Sequence, residues 1–260
     1  MGMRNDAKEP RETQRRSGYD TGVAVLPAYN EGSHVGSVVD EIYETDLVEH
    51  VVVVDDASDD DTAANAASAG AMVLRNEVNR RAGGAIKRGY ARALELGADV
   101  VYRLDADGQH NPGNLWRFHD EIADADCNYV LGNRFAESDH FGSMPLDRLI
   151  GNRITALVTS LRTRTRIADP SCGFRAIDAS YLRRIPYSKF SDDFQLDIQE
   201  LIAIKQLGGK LRQVAVDCIY SDEESYLSYL DGLKLLLSNL HRLDSTPADE
   251  SNLDAENGND

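Results

Sequence analysis

Hydrophobic positions along the chain fall into short runs separated by polar turns. Residues 21–27 contain Val23-Ala24-Val25-Leu26 and read as a buried strand ended by Pro27. Residues 50–55 are a continuous β-branched run, His50-Val51-Val52-Val53-Val54-Asp55. That pattern suits a central parallel strand covered on both faces. Residues 71–74 and 99–104 give a third and a fourth strand. Helical segments lie between them: 34–43, with Ser33 as a candidate cap; the alanine-rich 59–70, stopped by Gly70; and 82–96, with Gly97 at its end. Strands alternating with helices predict an α/β layered sheet with right-handed crossovers. In such sheets the ligand crevice lies outside the carboxyl ends of the strands.

That edge gathers three polar clusters. Pro27-Ala28-Tyr29-Asn30-Glu31 follows the first strand, Asp55-Asp56-Ala57-Ser58 the second, and Asp105-Ala106-Asp107-Gly108-Gln109-His110 the fourth. Each alone is what turn-favouring residues make at a strand end; three at one edge point to a single nucleotide site. In the last cluster two carboxylates one residue apart project to the same side of the backbone. Hard oxygen ligands so placed suit a divalent cation that bridges to a substrate's phosphates.

Composition narrows the class. The chain has 260 residues, enough for one domain with a full core, and its 42% hydrophobic share fits a soluble globular protein. A net charge of −16 argues against nucleic acid as a partner. The basic side chains are skewed to arginine, 22 against six lysines. An acidic, lysine-poor surface suits a high-salt cytoplasm; an ordinary acidic protein reads the same way. Cys127, Cys172 and Cys218 are widely spaced, form neither a metal motif nor a disulfide framework, and suit a reducing cytoplasm. No stretch approaches the ~20 apolar residues of a membrane span, and the charged N-terminus lacks the apolar core of a signal peptide. Residues 1–19 and 243–260 read as disordered tails around a folded domain at 20–242.

The ordered set of motifs resembles the inverting family-two glycosyltransferases with a GT-A fold, and within them the polyprenyl-phosphate (dolichyl-phosphate) hexosyltransferases. Besides the three clusters, the matching residues are Thr62, Asn111-Pro112, Leu131-Gly132-Asn133-Arg134-Phe135 and Asp169-Pro170-Ser171-Cys172-Gly173-Phe174-Arg175. The resemblance implies a GT-A-type, Rossmann-like, mostly parallel sheet with helices on both faces. It implies that Pro27, Tyr29, Glu31, Val54 and Asp56 hold the donor's base and ribose. Asp105 and Ala106 then line the donor, and Asp105, Asp107 and Gln109 surround Mg²⁺ or Mn²⁺. Arg134 touches phosphate, while Arg148 and Asn152 bind the acceptor's phosphate. The last two are four residues apart and share one face of a helix, and an arginine fork matches phosphate geometry. Asp105, Asp107, Arg134 and Arg148 form the catalytic set so implied. Asp192 and Asp193 resemble the acidic pair that the family places near the acceptor, although a helix N-terminus also favours Asp.

Two departures bear on the donor. Where the family carries Asn-x-Gly after the third strand, Asn79-Arg80-Arg81 puts Arg81 at the glycine position. The loop is then reshaped, or Arg81 adds a phosphate contact. Mannosyl-transferring members carry an Arg and a Lys near the C-terminal end; Tyr220-Ser221-Asp222-Glu223-Glu224-Ser225-Tyr226 has neither. That favours a UDP-sugar over GDP-mannose. Tyr226 and Tyr229 either flank the donor or pack on a helix.

Residues 147–166 are a local basic exception in an acidic chain. Arg148, Arg153, Arg162, Arg164 and Arg166 accompany Leu149, Ile150, Ile154, Leu157, Val158 and Leu161 at helical spacing. Such a helix either lies on an anionic membrane and guides a lipid phosphate or packs on the core with a solvated basic face. Cys172 reads as a small packed residue and His110 as a structural neighbour of the acids. The expected reaction is metal-dependent inverting transfer of a hexose, glucose or mannose, from a nucleotide-sugar to a polyprenyl phosphate. The protein would then be cytoplasmic and peripheral at the inner face of the membrane. The alternatives are a family-two enzyme acting on a saccharide or protein acceptor, and a catalytically silent nucleotide-sugar-binding protein.

Overall fold

The computed structural model describes residues 19–123, 127–136 and 146–217. Its strands are β1 (Gly22–Ala28), β2 (His50–Asp55), β3 (Met72–Arg75), β4 (Val100–Arg103), β5 (Tyr129–Asn133), β6 (Arg175–Asp178) and β7 (Leu211–Ala215). Its helices are α1 (Val35–Tyr43), α2 (Thr62–Ser68), α3 (Arg81–Glu95), α4 (Leu115–Ala123), α5 (Leu146–Thr163), α6 (Ala179–Leu182) and α7 (Gln195–Gln206). One seven-stranded sheet runs β3-β2-β1-β4-β6-β5-β7. It is mostly parallel, as expected; β6 alone runs antiparallel, to both β4 and β5.

β1 and β2 lie inside the sheet and are buried as their apolar runs demand: Val23 to Leu26 and Val51 to Val54 have no exposed surface. α3 packs on β1 and β2, and Gly89 makes the approach close. A Cβ there would lie 2.3 Å from Val25 Cγ1. β1 runs through Pro27 to Ala28 instead of ending at Pro27. The last β1–β4 pair is Val25 with Arg103, so the missing proline N–H falls beyond that ladder.

Three further local expectations are corrected. Ser33 does not cap α1; its Oγ pairs with His34 Nδ1, and the helix start is closed by His34 N and Val35 N donating to Glu31 O. α2 begins at Thr62 rather than at 59, because Asp60 is taken up as acceptor for Thr62 N and Gly32 N. α5 ends at Thr163 and Arg164 turns into the left-handed region, φ 50°, so Arg164 and Arg166 lie past the helix. The strictly alternating pattern also gave no hint of antiparallel β6. The tails 1–18 and 243–260, Cys218 and the 220–229 segment lie outside the described residues. Tyr19, at the start, donates its hydroxyl to Asp178 at 3.1 Å.

Candidate active site

The loops after the four parallel strands β1 to β4 form the carboxyl edge. Each holds, or at the third leads into, one residue in the left-handed region: Asn30 (φ 59°), Ala57 (65°), Arg81 at the first position of α3 (64°) and Gly108 (72°). For Ala and Arg that conformation is strained, and such strain concentrates at functional sites. Arg81 thus adopts a backbone that glycine takes without cost, with its N–H on Asn79 Oδ1 at 2.9 Å. The first two loops are stapled together. Asn30 N donates to Ser58 Oγ, Asp59 N to Asn30 Oδ1 and Glu31 N to Thr62 Oγ1, all within 2.9 Å.

Among the expected donor residues, Tyr29 is exposed, while Pro27 and Glu31 are half-buried. Asp56 is nearly buried, and its Oδ1 accepts from Asn76 Nδ2 (2.6 Å) and Arg80 N (2.8 Å). Asp56 thus ties the second loop to the third. The Val54 side chain belongs to the core, with Cγ2 beside Gly89.

Asp105 stands just past β4 with 41% of its side chain exposed. Ala106 beside it is buried, and Asp107 Oδ1 accepts from Gln109 N at 2.9 Å in a tight turn. The His34 imidazole flanks this turn at Gly108. Buried His110 places Nε2 3.7 Å from Asp105 Oδ2. Burial lowers its imidazole pKa, outweighing the pull of Asp105, so the ring is held neutral. His110 thus packs as a buried ring beside Asp105.

A further loop, 169–174, meets Asp105. Gly173 rests against Asp105 so tightly that a Cβ there would lie 2.0 Å from Asp105 Oδ2. Asp169, with no exposed surface, accepts a fork from Arg134: Nε to Oδ2 at 2.7 Å and an Nη to Oδ1 at 2.9 Å. Asn152 Nδ2 adds 3.0 Å to the same Oδ1. Burial alone raises the Asp169 carboxyl, but the Arg134 charge and these hydrogen bonds outweigh it and hold it below the usual range. One buried carboxylate thus gathers Arg134 and Asn152 on the loop whose Gly173 meets Asp105. Arg148 lies on α5, and its side chain is outside the described residues. Burial, then the Asp169 charge, push the Cys172 thiol up to about 12, which makes it a packed residue. Asp192 pairs with Lys87 Nζ at 2.5 Å, and Asp193 accepts from Gln195 N at the start of α7.

Asp169 and Gly173 lie in a motif of the resemblance that carries no expected role for them. Arg103 and Arg175, fully buried beneath the loop, are not marked as site residues by the motifs. The available signal was a charge inside an apolar run, Val100-Val101-Tyr102-Arg103-Leu104. A buried charge of that kind requires a partner.

Residues 23–186 match the family model described as glycosyl transferase family 2. The chain belongs to that family. It is 27% identical over 215 residues to the UDP-N-acetylglucosamine–dolichyl-phosphate N-acetylglucosaminyltransferase of Methanococcus voltae, covering 76% of this chain and 85% of the relative. It is 30% identical over 206 residues to the undecaprenyl-phosphate mannosyltransferase of Micrococcus luteus, covering 75% and 82%. Glucosyl-3-phosphoglycerate synthase of Mycobacterium tuberculosis, solved with Mn²⁺, UDP-glucose and phosphoglyceric acid, superposes with a TM-score of 0.66 at 22% identity, over 84% of this chain and 79% of that one. That likeness shows a shared GT-A-type fold. The protein is a glycosyltransferase, and its fold and family are those the motifs implied.

Proposed function

We propose that this glycosyltransferase moves a hexose, with inversion, from a UDP-sugar to a polyprenyl phosphate. The observation that carries this reading is the meeting of Asp105 with the 169–174 loop, whose Asp169 holds Arg134 and Asn152. Acids suited to a cation, and an arginine and an amide suited to phosphate, thereby share one edge. The names of the Methanococcus voltae and Micrococcus luteus relatives support a polyprenyl-phosphate acceptor.

The donor set fits a hard divalent cation, Mg²⁺ or Mn²⁺. Among the described residues no three His, Cys, Asp or Glu side chains gather as ligands. Asp105 and Asp107 would hold the cation, Gln109 would assist, and substrate phosphates would complete its shell. When bound there, the cation supplies Lewis-acid stabilisation of a leaving diphosphate.

The chain's residues do the rest. The stapled loops at Tyr29, Glu31 and Asp56 position the nucleotide. A lipid phosphate oxygen forms the new bond to the anomeric carbon as the bond to the UDP oxygen breaks, with inversion there. The attacking phosphate is already anionic near neutral pH, so no general base is needed. Two anionic groups must meet, and fixed cations such as Arg134 offset that repulsion by electrostatic stabilisation.

α5 supports a membrane-surface acceptor. Ile150, Leu157 and Leu161 are exposed on it, Leu161 at 71%, and Arg153, Arg164 and Arg166 are exposed nearby. Among the described residues no helix is long and apolar enough to cross a membrane. An apolar stripe flanked by arginines suits the surface of an anionic leaflet, which is the peripheral, inner-face location proposed for the chain. The test is to incubate the protein with polyprenyl phosphate, Mn²⁺ and labelled UDP-glucose, UDP-N-acetylglucosamine or GDP-mannose, then extract lipid. Label from a UDP-sugar in the lipid phase is expected. Label only on water-soluble products overturns the acceptor assignment, and label from GDP-mannose alone overturns the donor.

A further inference from the structure

Arg103 ends β4 and Arg175 opens β6, 1% and 0% exposed. They are direct partners across the antiparallel β4–β6 pair. Two like charges placed opposite each other in a dry core are unfavourable. α7 answers with Asp197 and Glu200, three residues apart on one face. Asp197 Oδ1 lies 2.7 Å from an Arg103 Nη and 3.3 Å from an Arg175 Nη, and Glu200 Oε1 lies 3.2 Å from Arg175. Tyr187 donates its hydroxyl to Glu200 at 2.9 Å, and Tyr129 also donates to this carboxylate.

A buried ion cluster of this kind is a poor stabiliser compared with well-packed apolar side chains. Its remaining hydrogen bonds show another use. Arg103 Nε donates to Gly173 O at 3.1 Å, Arg175 Nε to Cys172 O at 3.0 Å and an Arg175 Nη to Pro170 O at 2.8 Å. Three carbonyls of the 169–174 loop are thus drawn down onto two guanidinium planes. The loop's upper side meets the Asp105 carboxylate at Gly173 and carries Asp169 with Arg134 and Asn152. A planar guanidinium fork fixes these carbonyls in direction while it pairs with a carboxylate; a lysine ammonium, a compact donor on a flexible stem, does not reproduce that geometry.

We propose that Arg103 and Arg175 are positioning residues for sugar transfer. They set the depth of the 169–174 loop, and with it the placement of the Asp105 carboxylate against Gly173 and of Arg134 on Asp169. Neither arginine touches substrate. The proposal rests on the function read above, but part of its test needs no acceptor.

Arg103→Lys keeps the charge beside Asp197 and loosens the hold on Gly173; Arg175→Lys loosens Pro170 and Cys172. Tyr187→Phe removes a hydrogen bond to the same buried Glu200 without reaching the loop. Each variant is measured for melting temperature, for Mn²⁺ binding in the presence of UDP by calorimetry, and for kcat and KM of the UDP-sugar. Both lysine variants are expected to bind Mn²⁺ about tenfold more weakly. Their kcat should fall about 100-fold, the scale of a misplacement near 1 Å, with KM close to the parent's. Tyr187→Phe should melt earlier yet keep the parent's Mn²⁺ affinity and kcat. Lysine variants with the parent's Mn²⁺ affinity and kcat overturn the proposal, as does a Tyr187→Phe variant that loses kcat equally. Lysine variants that do not fold also count against it, since the pair would then serve only the fold. If the parent transfers nothing to polyprenyl phosphate, the function reading fails, and the calorimetry still decides the positioning role.

Discussion

At the scale of single residues the site rests on contacts with little slack. Gly173 shows no left-handed backbone, so its requirement is space: a Cβ would fall 2.0 Å from Asp105 Oδ2. The Asp105 side chain is short and 41% exposed, so it can swing aside at low cost. Gly173→Ala is therefore expected to melt near the parent's temperature while losing about 100-fold in kcat. Asp105→Asn and Asp107→Asn should likewise abolish transfer and keep the fold, because they remove charge from an open edge. An alanine variant with full activity would show that the Asp105–Gly173 contact is not part of the site. Asp169 behaves differently because it is buried. Its folded carboxyl sits below the ordinary value, so its stabilisation is fully present above the unfolded carboxylate pKa, about 4, and is lost as pH falls through the folded value. Asp169→Asn should cost about 3 kcal/mol at pH 7, where Arg134 loses its buried partner. The difference from the parent should shrink below about pH 4; urea unfolding at pH 7 and pH 3 measures it. A difference that grows in acid would reverse the sign argued here.

At the scale of elements, what was legible in sequence depended on whether an element's burial is written in its own residues. β2 could be read because Val51 to Val54 are all buried by neighbours on both faces. β6 could not, since its direction is set by pairing with β4 and β5 from distant parts of the chain. The end of α5 is hidden in the sequence for a related reason. Arg164 and Arg166 continue the basic pattern, but Thr163 Oγ1 turns back onto Thr159 O and Thr165 O, and the chain leaves the helix. The arginines therefore sit at the helix end rather than along its face, while Ile150, Leu157 and Leu161 supply the exposed apolar stripe. The two contributions separate by salt. Leu157→Gln with Leu161→Gln should weaken co-sedimentation with anionic vesicles about tenfold at any salt, through lost apolar burial. Arg164→Gln with Arg166→Gln should weaken it only at low salt, since screening removes the charge contribution near 1 M. If neither pair changes sedimentation, α5 is an ordinary surface helix and a soluble acceptor gains ground.

At the scale of the whole molecule, the edge of the sheet was legible and the machinery beneath it was not. Asp105, Asp107, Tyr29 and Asp56 announce themselves as polar clusters at strand ends. Arg103 and Asp197 are 94 residues apart in the chain, and no local pattern joins them. The net charge of −16 is the other whole-molecule property, and it has a measurable consequence. An excess of surface carboxylates repels itself and disfavours the compact state. Added KCl shortens the screening length from about 10 Å at 0.1 M to about 3 Å at 1 M, which relieves that repulsion. The buried pairs at Arg103, Arg175 and Asp169 are little screened and lose almost nothing. The melting temperature should therefore rise by several degrees between 0.1 M and 1 M KCl, about 2–4 °C for each kcal/mol of relief. Most of the gain should come below 1 M, where screening changes fastest; a general salting-out effect instead keeps rising with concentration. A melting temperature that is flat or falls over this range would remove the high-salt adaptation inferred from composition and leave an ordinary acidic protein.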